Sequence, residues 1–206
     1  MKLQILLWQN QFKEMFHKVH KMRRKMENQI NIQYRFLSLQ ELDLQFLKTF
    51  NRYQVTNKVW YKDGQQYNIK EDYFVEEWNE EKKIQVIQAL QNCLKVGGAV
   101  IVAYHQDDVV GFANIENQFF GSNSHYLELP YIHVSNEFRQ YGIGKKLFHL
   151  CKEKAKQMGA KKLYIAAHPS IETQYFYQSV GCTYADEIHQ KIYEKEPLDI
   201  QLEISL

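Results

Sequence analysis

A glycine-punctuated turn, Arg139-Gln140-Tyr141-Gly142-Ile143-Gly144-Lys145, joins the apolar run Tyr126 to Val134 to a segment whose Leu147, Phe148, Cys151, Ala155 and Met158 recur at helical spacing. A strand that enters a helix through glycines gathers backbone N–H groups at the positive end of that helix, which makes a cradle for an anion. Two familiar phosphate patterns fail here. Walker A requires G-x-x-x-x-G-K-[ST], and the dinucleotide fingerprint requires G-x-G-x-x-G after an early strand. The pattern present is R-x-x-G-x-G.

The flanking sequence alternates strands and helices. Ile32, Tyr34 and Phe36 alternate as in a half-buried strand, and Ser38 with Glu41 forms a capping box that opens a helix facing the core with Leu42, Phe46, Leu47 and Phe50. Residues 56–79 are aromatic and acidic without clean periodicity. Asn79 reads as an N-cap, followed by Glu80 and Glu81, an inward face of Ile84, Ile87, Leu90 and Leu94, and a stop at Gly97-Gly98. Ala99 to Tyr104 and Val109 to Ile115 form a hairpin, and Tyr126 to Val134 one further strand. Beyond the glycine turn come a helix ending at Gly159, a strand at Lys162 to Ala167, a short helix at Ile171 to Val180 and a strand at Ile200 to Leu206. This order is a mixed α/β (α+β) fold in one domain over residues 30–206, with residues 1–29 as an extension.

In that setting the turn resembles motif A of the GNAT superfamily of acyl-CoA-dependent N-acetyltransferases, Q/R-x-x-G-x-G/A. Ser170, Thr173, Phe176, Tyr177, Gly181 and Cys182 stand in S-x-x-T-x-x-F-Y-x-x-x-G-C, similar to the family's N-x-x-A-x-x-F-Y-x-x-x-G-F. The resemblance implies a mixed, mostly antiparallel sheet of about six to seven strands flanked by helices. It implies acetyl-CoA as co-substrate, with the pyrophosphate on the backbone of Arg139, Gln140, Tyr141, Gly142, Ile143, Gly144 and Lys145. Pantetheine would pair with the backbone of Ile132 and Val134 and lie beside Ser170, Thr173 and Phe176. The Arg139 side chain itself is expected to point to solvent.

The same resemblance makes Tyr177 the acid that protonates the departing thiolate. Glu128, eleven residues before Arg139, stands where some family members place a glutamate that deprotonates the amine through water, and burial would raise its pKa usefully. His133 is the rival base, although its strand parity opposes that of Glu128 unless a bulge intervenes. Water alone is the third option. Ser170 and Thr173 depart from the family's Asn and Ala, and Cys182 reads as a small core residue. The expected activity is transfer of an acetyl group to an amine of a small molecule or peptide by direct attack in a ternary complex. The alternative is an acyl-CoA-binding sensor without turnover.

Charge refines the acceptor. The chain of 206 residues has a formal charge of +2, too small to argue for nucleic acid. Residues 1–29 hold seven Lys or Arg against two Glu, so the other 177 residues carry −3. Within 57–80, Lys58, Lys62 and Lys70 oppose Asp63, Glu71, Asp72, Glu76, Glu77 and Glu80, a wall suited to a cationic amine. Phe12, Met15, Phe16, Val19 and Met22 suggest a basic amphipathic helix, or else translation starts at Met22 or Met26. Cys93, Cys151 and Cys182 lie far apart without a C-x-x-C pair, which suits a reducing cytoplasm. No metal-ligand spacing is present, no apolar run reaches membrane-span length, and a monomer or homodimer is expected.

Overall fold

The computed structural model describes residues 30–63 and 66–206. The expected amphipathic helix and the alternative start sites lie outside the described residues. In chain order the strands are β1 (Ile32–Phe36), β2 (Tyr53–Asp63), β3 (Gln66–Glu77), β4 (Ala99–His105), β5 (Asp108–Ile115), β6 (Tyr126–Glu128), β7 (Ile132–Val134), β8 (Lys162–Ala167), β9 (Thr183–Tyr184) and β10 (Ile200–Ser205). The helices are α1 (Glu80–Lys95), α2 (Ile143–Gln157), α3 (Ile171–Ser179) and α4 (Gln190–Lys195). Two four-stranded sheets, β1-β4-β5-β7 and β6-β8-β10-β9, are linked by the Glu116 to Glu128 backbone hydrogen bond and are taken together as the main sheet, and β2 pairs with β3 apart from them. Among the strand pairs described, β6 with β8 is parallel and the others are antiparallel.

Two hydrophobic layers cover this sheet. On one face α2 and α3 bury Ile143, Leu147, Phe148, Cys151, Ala155 and Tyr177 against Ala113, Leu127, Leu129, Leu163 and Ile165. On the other, α1 and the turns after β1 bury Val86, Ile87, Leu90, Leu42, Leu47 and Phe50 against Val100, Val102 and Phe112. Burial of such apolar area contributes about 25 cal/mol per Å², which makes these layers the main stabilising term.

Four expectations require correction. The capping box forms, with Ser38 N–H donating to Glu41 at 2.9 Å, yet it opens only a 3-10 turn over Leu39–Glu41, and the segment to Phe50 continues as turns. Leu42, Phe46, Leu47 and Phe50 are still buried, so hydrophobic docking decides their position without a regular helix. Ile84 on α1 is exposed, and Val86 and Cys93 take inward positions. Residues 56–79, which lack clean periodicity, form most of a long two-stranded hairpin whose register slips between Thr56 and Lys58, and that slip breaks the period-two pattern. The last strand, expected to alternate with polar residues, buries Gln201 and Glu203 as well. Tyr164 Oη donates to Gln201 at 2.8 Å, and Lys162 Nζ to Glu203 at 2.6 Å.

Candidate active site

The expected single strand from Tyr126 to Val134 is broken in two, and the break makes the site. Glu116 N–H donates to Glu128 O at 3.0 Å, and Asn114 N–H to Tyr131 O at 3.1 Å. Two residues of β5 therefore span three residues of the partner, a bulge at Leu129-Pro130. The β6 half stays with β8 through Leu129 N–H to Tyr164 O at 2.9 Å, and the β7 half swings away to pair with β5. A gap opens in the sheet between β7 and β8. Tyr131 and Ser135 direct their backbone hydrogen bonds to β5, so by alternation the backbone groups of Ile132 and Val134 face that gap.

The bulge also reverses side-chain parity. Leu127 and Leu129 pack under α2 and α3, and so do Ile132 and Val134. Glu128, Tyr131 and His133 consequently share the opposite face, which removes the parity objection to His133.

At the far end of β7 the chain turns into α2. Gly142 is its N-cap, with φ +77° in the left-handed region that glycine enters without cost. The first helical bond within α2 runs from Lys146 N–H to Gly142 O at 3.0 Å, so the earlier amides of the first turn find no carbonyl inside the helix. Gly144 lets the turn pack closely, because a Cβ there would stand 3.2 Å from Phe176 Cε2, which would have to shift by a few tenths of an ångström. A glycine cap, open amides and a helix dipole suit a pyrophosphate.

Arg139 does not point to solvent. Its Nε donates to Val134 O at 3.3 Å, and burial is the largest influence on its guanidinium. One lone pair of a carbonyl expected to pair with pantetheine is thus already engaged. Ser170 is fully buried as the cap of α3, donating to Thr173 Oγ1 at 2.9 Å and accepting from Gln54 Nε2 at 3.3 Å.

The candidate reacting groups lie on opposite faces of the sheet. Tyr177 sits among Phe148, Phe176 and Cys151 under the α3 face, and burial pushes its phenol well above the usual range. Glu128 on the other face is pushed up to about 7, mainly by burial and then by Glu116, with Lys195 acting in the opposite direction. His133 is held well below its ordinary value by burial and then by Arg52, Arg139 and Lys82, which keeps it neutral. Cys182 is buried and its thiol is pushed up to about 12, as suits a packed residue.

The acidic wall over residues 57–80 is mostly absent from this site. Asp63, Glu71, Glu77 and Glu80 are exposed, and Asp72 pairs with Lys70 at 3.2 Å. Glu76 alone of the six carboxylates reaches inward, to Arg52 Nη2 at 3.4 Å and His168 Nε2 at 3.9 Å. The hairpin closes over the end of β8 through Trp60 N–H to Pro169 O at 2.8 Å and a bridge from Val59 to Ser170. Arg52, Glu116, His168 and Asp199 went unnoticed in the sequence. Asp199 is pushed up to about 7 by burial, Glu196 and Glu76. A carboxylate or histidine just outside a strand end was the only local sign of Glu116, His168 and Asp199. Among the described residues, no group of three or more His, Cys, Asp or Glu could hold a metal ion, and no helix is long and apolar enough to cross a membrane.

Comparison with known proteins bears on this geometry. No curated relative matches the chain in sequence. Its fold is similar to that of nourseothricin acetyltransferase, with TM-score 0.60 and 17% identity over 84% of this chain and 98% of that one. It is also similar to a putative streptothricin acetyltransferase from Bacillus anthracis in complex with acetyl coenzyme A, with TM-score 0.65 and 15% identity over 86% and 99%. The model of the Acetyltransferase (GNAT) family matches residues 64–182, more than half of the chain, and on that match the chain belongs to the GNAT acetyltransferase family.

Proposed function

We propose that the protein transfers an acetyl group from acetyl-CoA to the amine of a small molecule or peptide, both substrates being bound at once. The observation that carries this reading is the gap between β7 and β8. It is flanked by the backbone of Ile132 and Val134, in the strand that runs on to the Gly142 cap, and Glu128 ends the strand before the break. Acetyl-CoA supplies an activated acyl group as a thioester. Open amides at the start of α2 suit its pyrophosphate, and backbone amides beside Val134 would stabilise the developing oxyanion.

Glu128 takes a proton from the ammonium, directly or through water, and its raised pKa matches that task near neutral pH. Tyr177 keeps its proton at ordinary pH and gives it to the leaving thiolate. His133, neutral on the face of Glu128, orients the acceptor as a hydrogen-bonding partner. The cytoplasm, suggested by three buried free cysteines, is the compartment that fits this chemistry.

A thiol-release assay with acetyl-CoA over a panel of amines, beside Tyr177→Phe and Glu128→Gln, tests the reading. Release that requires an amine and falls in both variants is the expected result. CoA binding without release on any amine would favour the sensor. Absence of CoA binding would remove both.

A further inference from the structure

Arg52, at the entry to β2, is a buried guanidinium with most of its hydrogen-bonding capacity unused. It is 8% exposed and donates one long hydrogen bond, from Nη2 to Glu76 Oε2 at 3.4 Å. Its Nε and Nη1 are buried without a partner, as is Thr56 Oγ1 further along the same strand. A guanidinium is a planar fork of five donors whose geometry matches a carboxylate, and buried donors are normally satisfied. Glu76 is a poor sole partner, because it also faces His168 at 3.9 Å. Arg139 and Lys82 share the surroundings of His133 with Arg52, and Glu76 and Glu137 are the carboxylates that face these cations, so three positive groups meet two negative ones and the corner keeps a positive excess.

The position of the corner matters. The Arg52 guanidinium carbon lies 6.0 Å from the Trp78 ring centre, that ring lies 4.9 Å from His133, and His133 lies 5.9 Å from Tyr131. Tyr131 follows the bulge whose other side is Glu128, on the same face. Along one row of residues beside the gap, a carboxylate that takes protons stands at one end and an unsatisfied cation at the other. A simple monoamine would use only the first.

Resting on the acetyltransferase reading above, we propose that Arg52 receives a carboxylate of the acceptor, and that the substrate is an amino acid whose side-chain ammonium group, several bonds from that carboxylate, faces Glu128. The carboxylate accepts from Nε or Nη1 together with Nη2. Arg52 is then a specificity residue, and the inward turn of Glu76 orients it.

The test compares acetyl transfer to the twenty common L-amino acids, their primary amides and the corresponding decarboxylated amines. At least one amino acid is expected to exceed both its amide and its decarboxylated amine in kcat/KM by about thirtyfold or more. Arg52→Gln is expected to abolish that preference and leave the acetyl-CoA KM within about twofold. Arg52→Lys, which keeps the charge and loses the fork, should retain only part of it. Melting curves show whether either variant has lost its fold, and the wild-type preference stands without them. Equal use of amides and amines, or no transfer to any amino acid by a protein that binds CoA, overturns the proposal alone. A raised acetyl-CoA KM in Arg52→Gln without change in acceptor preference also overturns it, assigning the fork to the acyl donor. Failure to bind CoA at all removes the underlying acetyltransferase reading instead.

Discussion

The two sides of the site are built in different ways. The proposed acyl-donor side consists of backbone groups from one short stretch, Ile132 to Lys145, held by a left-handed glycine and a helix terminus. The proposed acceptor side is assembled from side chains far apart in the chain, Arg52, Glu76, Glu128 and His133. Backbone geometry of that kind tolerates most side-chain changes but not the loss of a glycine, whereas a side-chain site changes with each substitution. Common chemistry therefore resides in the first and individuality in the second.

The most damaging change predicted is Tyr177→Phe, which should lower kcat by about 10²- to 10⁴-fold with little effect on the acetyl-CoA KM, as measured by thiol release. A fall confined to KM would put Tyr177 among the packing residues. Gly142→Val comes next. A β-branched residue at φ +77° costs roughly 1–3 kcal/mol, so the acetyl-CoA KM should rise by about tenfold or more and the melting temperature should fall. If acceptor KM moved instead, the division between the two sides would fail.

Glu128→Gln should lower activity by about 10²-fold and remove the rise in kcat/KM with pH near 7. It should also change stability in a fixed direction. The folded carboxyl titrates near 7 and an unfolded one at about 4.3, so between those values the folded chain holds a proton that the unfolded chain has released. The ionised carboxylate therefore costs stability progressively as pH rises through that window. The glutamine variant should be more stable than the native protein by ~1–3 kcal/mol at pH 8 and equal to it at pH 4, by denaturant titration at both pH values. Equal stability at pH 8 would mean that Glu128 is well solvated.

The smallest effect is expected from Glu71→Gln on the exposed hairpin face, with acceptor KM changed by less than about twofold and stability by under ~0.5 kcal/mol. A larger change would restore the acidic wall as a docking surface.

Much of the donor side was legible because its determinants are local. The order around R-x-x-G-x-G, the strand Lys162 to Ala167 and the cap at Asn79 depend on neighbours within a few residues. The hairpin over 53–77 was hidden by its bulge. The break in the strand after Glu128 was hidden because Leu129-Pro130-Tyr131 keeps an apolar character through it. Charge counting failed for segment 57–80 since a sum carries no information about facing, and Glu76 alone turns inward. Arg52 was invisible for the same reason. Nothing beside it in the chain signals that a residue just before a strand will be buried with two donors unmatched.

The hairpin meets the main sheet just past the end of β8, through the Trp60 amide and the Val59 bridge, and at β9, through a stack of Tyr67 on Tyr184 at 4.8 Å. It also carries Glu76 and the strand that follows Arg52. This makes it an exchangeable part: a different hairpin grafted on the same seam would alter which amine is chosen, while the Gly142 turn proposed to hold the pyrophosphate lies outside it. New acceptor preferences could then arise through changes in a segment that contributes few residues to the main hydrophobic layers.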